Sequence, residues 1–133
     1  MQIIDTKTHG YIDYIFGLTL IAIAYLLNFN SESTPDIALY IVGTSAIVYS
    51  FFTNYELGVI KLIPINIHLM LDSLSGIFLA VSPWLLGFSE KVFLPHLIFG
   101  LIEIGTTVIT RFKPRYNVST NQKKLNHNRL QRN

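Results

Sequence analysis

The feature that most constrains this chain is where its charges are missing. No charged residue lies between Asp13 and Glu32, between Asp36 and Glu56, between Asp72 and Glu90, or between Lys91 and Glu103. Once flanking polar termini are allowed for, each gap approaches the roughly 17–25 apolar residues that cross a bilayer core. Helices of a soluble bundle would each show a polar face, and stretches such as "FGLTLIAIAYLLNF" mostly do not. Across the 133 residues, 50% are hydrophobic and 14% charged, against roughly 25% charged in soluble domains. The chain reads as an integral membrane protein. Its start, "MQIIDTKTHG", has neither a basic segment leading into an apolar one nor a small-residue cleavage site, so the first span is expected to be retained. With no cysteine, disulfides, thiolate metal sites and cysteine nucleophiles are excluded.

The expected fold is all-α: a four-helix transmembrane bundle with spans at 9–27, 35–53, 65–86 and 94–112. The breakers "NFNSESTPD", "NYELG", "IPIN" and "GFSEK" separate them, and Pro35 and Pro95 suit a first helical turn. Arg111, Lys113, Arg115, Lys123, Lys124, Arg129 and Arg132 follow the fourth span. By the positive-inside rule they place the C-terminus in the cytoplasm. Four spans return the N-terminus, Lys7 and Lys61 to the same side. The polar, basic tail 117–133 reads as disordered.

The spans form an internal repeat. "IIDTKTHGYIDYIFGLTLIAIAYLLNF" aligns without gaps to "LIPINIHLMLDSLSGIFLAVSPWLLGF", matching His9 with His68, Asp13 with Asp72 and Gly17 with Gly76. Farther on, Gly43 to Thr53 aligns with Gly100 to Thr110. Residues 1–58 and 59–116 are thus two tandem helical hairpins. An even number of spans per unit gives a parallel repeat about an axis along the membrane normal. The motif Ser82-Pro83-Trp84 within "SPWLLGF", together with "HGYIDY", "YELG" and "PHLIFGLIEIG", resembles the SPW repeat family of small bacterial integral membrane proteins. The resemblance covers almost everything before the tail and implies a membrane location and paired spans. The first copy departs from it, with Ile23, Ala24 and Tyr25 at the motif positions. The family supplies no established biochemistry.

Residues four apart share one helix face. His9, Asp13 and Gly17 therefore make one stripe and His68, Asp72 and Gly76 another, with the glycines allowing close helix approach. His96, Gly100, Glu103 and Thr107 share a face of the fourth span, where Glu103 is the deepest acid, roughly 13 Å from either end. A charge at the bilayer centre costs roughly 2.5–3.5 kcal/mol on insertion scales, so His9, Asp13, His68, Asp72 and Glu103 are expected on inward faces. In a structural reading, His9 bonds Asp13 and His68 bonds Asp72, and the pairs fix helix register. In a functional reading, the cluster handles a proton or small cation entering from the cytoplasm. A narrower alternative is a metal or haem module, with His9 and His68 among the ligands. No phosphate loop, nucleophile elbow or H-E-x-x-H motif is present, so no catalytic residue is assigned and the protein reads as non-enzymatic. The sequence requires no cofactor. Trp84 suits an interfacial anchor, and Pro83 a kink or an opening at the outer mouth. The expected partner is the lipid bilayer, with a homodimer or a larger membrane complex as further options, the chain being a structural subunit in the latter, and no nucleic acid.

Overall fold

The computed structural model describes residues 3–27 and 34–112. It contains α1 (Thr6–Leu27), α2 (Thr34–Phe51), α3 (Ile65–Leu85) and α4 (Leu94–Ile109), with no strand among the described residues. The tail 117–133 and the α1–α2 connection, residues 28–33, lie outside them. Helix α1 packs mainly on α2, and α3 on α4, giving the two hairpins that the repeat predicts.

Helix ends differ from the sequence reading for local reasons. The Asp5 carboxylate accepts the Thr8 amide at 2.8 Å, an N-cap that starts α1 three residues before His9. Helices α2 and α4 stop early because other backbone takes their last carbonyls. The Phe51 and Phe52 carbonyls accept amides of Val59, Ile60, Leu62 and Ile63, while Ile109 accepts from Ile3 and Ile4. Two isolated bridges result, Thr53 with Ile63 and Ile4 with Thr110. Under the repeat alignment these are the same contact made twice: the end of each hairpin pairs with the segment entering the other. The earlier end of α4 also leaves Glu103 about 9 Å from that helix's C-terminal end rather than midway.

Glycines set the spacing within each hairpin. A Cβ on Gly17 would lie 2.7 Å from the Gly43 carbonyl oxygen, and one on Gly43 equally close to the Gly17 oxygen. Gly76 and Gly100 face each other in the same way, with a Cβ on Gly100 meeting the Gly76 oxygen at 2.5 Å. Side chains would force the helices apart, so these crossings are of the small-residue kind found in membranes.

Pro83 sits in the last turn of α3. It has no amide to offer the Leu79 carbonyl, and the Ser82 hydroxyl takes that carbonyl instead at 2.8 Å. Gly87 follows with φ 74°, and the Phe88 amide returns to the Pro83 carbonyl at 2.8 Å, a Schellman ending that buries Phe88. Trp84 points outward, 55% exposed, and its ring lies 5.7 Å from that of Phe93.

The bundle is apolar outside and partly polar inside. Ile15, Leu18, Ile41, Leu74, Leu101 and Val108 are exposed, whereas His9, Asp13, His68, Asp72 and Glu103 are buried. An apolar core of Phe16, Leu20, Ala24, Leu39, Val42 and Leu79 fills the half of the bundle nearer the ends of α1 and α3. Helices α1 and α3 are each long and apolar enough to cross a membrane. An exposed apolar shell around buried ionisable groups is the distribution a bilayer selects.

Candidate functional site

His9 and Asp13 lie one turn apart near the start of α1, and His68 and Asp72 occupy the same places on α3. The structure brings all four together at the end of the bundle where α1 and α3 begin and α2 and α4 finish. One ligand-capable atom from each lies within 4.8 Å of the others, and all four residues are buried.

The pairing is crossed. His9 Nε2 lies 2.9 Å from Asp72 Oδ2, and His68 Nε2 lies 3.0 Å from Asp13 Oδ2. The contacts within each helix are longer, 3.3 Å for His9 with Asp13 and 3.2 Å for His68 with Asp72. The local pairs of the structural reading are therefore secondary, and each histidine's hydrogen bond goes to the aspartate of the other repeat. The Ser50 hydroxyl adds a bond to Asp13 Oδ2 at 3.2 Å. The imidazoles meet edge to face, with centroids 5.4 Å apart.

The other nitrogen of each ring fixes its tautomer. His68 Nδ1 lies 2.8 Å from Thr53 Oγ1, and His9 Nδ1 lies 2.9 Å from Thr110 Oγ1. Each threonine hydroxyl donates its single hydrogen to the carbonyl four residues back, Tyr49 or Thr106, at 2.6 Å. The oxygen has only lone pairs left for the ring, so both Nδ1 atoms carry the hydrogen. Both Nε2 atoms then turn toward the carboxylates, and with neutral rings they are acceptors facing acceptors. Two neutral imidazoles and two carboxylates carry two negative charges, and contacts of 2.9 and 3.0 Å require something positive between them. Two protons or one divalent cation would neutralise the group.

Glu103 stands beside the quartet rather than in it. Its Oε1 accepts the Ser75 hydroxyl at 2.9 Å and the Tyr49 hydroxyl at 3.4 Å, and the Tyr49 ring lies 5.2 Å from His68. The repeat mates of Ser75 and Glu103 are Phe16 and Ala46, so this polar arm exists on one side of the bundle only. His96 lies at the opposite end, where its Nε2–H donates to the Pro35 carbonyl at 3.1 Å. Gly100 and Thr107 share its buried face of α4.

Tyr55, in the α2–α3 connection, closes the quartet from the loop side. Its ring lies 5.4 Å from His68, packs with Ile65 and Leu69 and abuts Gly10. Burial pushes its phenol above the usual tyrosine range, so it adds no charge there. The connection is tied to α1 by the Thr6 hydroxyl, which donates to Glu56 Oε2 at 2.6 Å. Sequence reasoning missed Thr53, Thr110, Ser50, Tyr49, Ser75 and Tyr55. The repeat alignment, which pairs Thr53 with Thr110, was the one signal that pointed to any of them.

His9 and His68 are not placed as the two axial ligands of one haem. The histidine rings touch, and both carboxylates hold the space that a macrocycle between two axial nitrogens would need.

This inside-out helical bundle, with its doubled motif, is a membrane protein of repeat type. The model of the SPW repeat domain matches residues 7–110, and the chain belongs to that family. No curated protein and no solved structure matches it.

Proposed function

We propose that the protein is a non-enzymatic, four-span protein of the bacterial inner membrane, with both termini in the cytoplasm, whose His/Asp quartet is a small-cation site at the cytoplasmic end. The observation that carries this reading is the aim of the two Nε2 atoms. Thr53 and Thr110 hold the Nδ1 hydrogens, and both remaining lone pairs converge on two buried carboxylates. A purely structural pair has no need of that arrangement, because one hydrogen bond per histidine would fix register. Lys7, Lys61 and Arg111 lie at the quartet's end of the bundle, which supports the orientation. Helices α2 and α4, although shorter than α1 and α3, are read as spans because their hairpin partners cross.

Melting of the full chain across pH tests the site. In Asp13→Asn/Asp72→Asn the amide can donate to a bare Nε2, so packing is kept while the charge is removed. The wild-type melting temperature is expected to move with pH, and that of the variant to move much less. Parallel profiles would leave the quartet as packing alone. Topology is testable because the natural chain has no cysteine. In Glu90→Cys the thiol should react with an impermeant maleimide in intact cells, and in Lys61→Cys only after permeabilisation. The reverse pattern would invert the orientation.

A further inference from the structure

The spacing and support of the four inward atoms carry the cation-site reading one step further, and the choice of ion rests on that reading. We propose that the quartet is a tetrahedral site for a divalent transition metal of the zinc class, bound by His9 Nε2, His68 Nε2 and one oxygen from each of Asp13 and Asp72. Zinc bonds of roughly 2.0–2.2 Å to imidazole nitrogen and carboxylate oxygen place neighbouring tetrahedral ligands about 3.3 Å apart. Asp72 Oδ2 lies 2.9 and 3.2 Å from the two Nε2 atoms, and Asp13 presents Oδ1 to His9 at 3.3 Å and Oδ2 to His68 at 3.0 Å. One ligand atom per residue lies within 4.8 Å of the others, so to surround an ion the set has to settle Asp13 on one oxygen and draw in its longest edge.

The donor set narrows the metal. Mixed imidazole and carboxylate ligands suit zinc, iron or manganese, whereas calcium and magnesium take oxygen shells of six or more. One divalent ion balances the two carboxylates, leaving a neutral group inside a membrane bundle. A ligating histidine commonly donates its other ring hydrogen to a fixed oxygen, which orients the ring. Thr53 and Thr110 do this here, each pinned by its own bond to a helix carbonyl. Because His9 pairs with Thr110 and His68 with Thr53, the ion would bind both hairpins and clamp the repeat across its symmetry axis. All four positions come from protein, so the site stores or seals an ion rather than presenting a reactive water.

The test uses the full chain, purified without a histidine tag, stripped by chelator and titrated with Co²⁺ and then Zn²⁺. One Co²⁺ per chain is expected, with the strong visible absorption of tetrahedral cobalt, displaced by Zn²⁺. His9→Gln/His68→Gln should abolish it. Thr53→Val/Thr110→Val keeps all four ligands and should weaken binding about 10–100-fold, an effect that packing alone would not produce. Folded wild type that binds no Co²⁺ or Zn²⁺ overturns the proposal, as does binding that survives loss of both histidines on His96 or His127. If no metal binds but wild-type melting keeps its pH dependence relative to Asp13→Asn/Asp72→Asn, the metal assignment falls and the proton-holding quartet stands. If that dependence is also missing, both fall.

Discussion

Gly100→Ala should loosen the second hairpin and misplace the site it supports. A Cβ at Gly100 would meet the Gly76 oxygen and the Ala80 nitrogen at 2.5 Å and the Ala80 Cα at 2.8 Å. All three are backbone atoms, so no side chain can swing aside. Ordinary contact begins near 3.4 Å, so α4 must retreat from α3 by about 1 Å in an interior that is otherwise close-packed. Overpacking of this kind costs about 1–3 kcal/mol. The same shift would stretch the 2.9 Å bonds of Glu103 to Ser75 and of Thr110 to His9, linking packing to site geometry. Gly105 lies on the same helix with nothing within 4 Å of its would-be Cβ. Alanine there should be neutral, or stabilising by up to about 1 kcal/mol through helix propensity. Thermal melts of both variants in one detergent give the comparison. Equal melting temperatures for the two would refute the close approach of α3 and α4.

Other expectations concern the polar groups. Ser82→Ala removes the donor for the Leu79 carbonyl that Pro83 leaves free and should destabilise the chain by about 1–2 kcal/mol. Adding Pro83→Ala restores an amide to that carbonyl, so the double variant should regain most of the loss on melting. Glu103→Gln keeps an oxygen for Ser75 and Tyr49 and should melt within about 0.5 kcal/mol of wild type. Glu103→Ala should fall further, because the oxygen that faces both Ser75 and Tyr49 is lost. Equal losses for glutamine and alanine would show that the charge, not the hydrogen bonding, holds this arm.

Much of this architecture is legible in the sequence because a membrane suppresses charge along every span and a duplication repeats every signal. The uncharged gaps give the helices, and the His-x3-Asp-x3-Gly stripes give the inward faces. Gly17, Gly76 and Gly100 are legible for the same reason. The crossing of the pairs is not. Spacing of four makes the partner on the same helix the natural expectation, whereas bringing His9 to Asp72 takes contacts between the hairpins, such as the bridge of Ile4 with Thr110, whose partners lie far apart in sequence. Thr53 and Thr110 are hidden because a threonine ending an apolar helix looks like a cap. Only the depth of a facing imidazole turns it into the group that orients a histidine. The helix ends escaped because Asp5 reads as a loop residue until its carboxylate meets the Thr8 amide. Ser82 and Pro83 read as a motif, and their shared task at the Leu79 carbonyl becomes visible only in the last turn of α3.

Everything at the site depends on the quartet closing between the repeats, and one measurement reaches that contact directly. Solid-state NMR of the full chain in lipid bilayers, with labelled histidine nitrogens and aspartate carboxyl carbons, would report which carboxyl each Nε2 faces. The crossed pairing predicts the strongest correlations from His9 to Asp72 and from His68 to Asp13, with hydrogen on both Nδ1 atoms. Strongest correlations from His9 to Asp13 and from His68 to Asp72, or hydrogen on Nε2 with bare Nδ1, would contradict it.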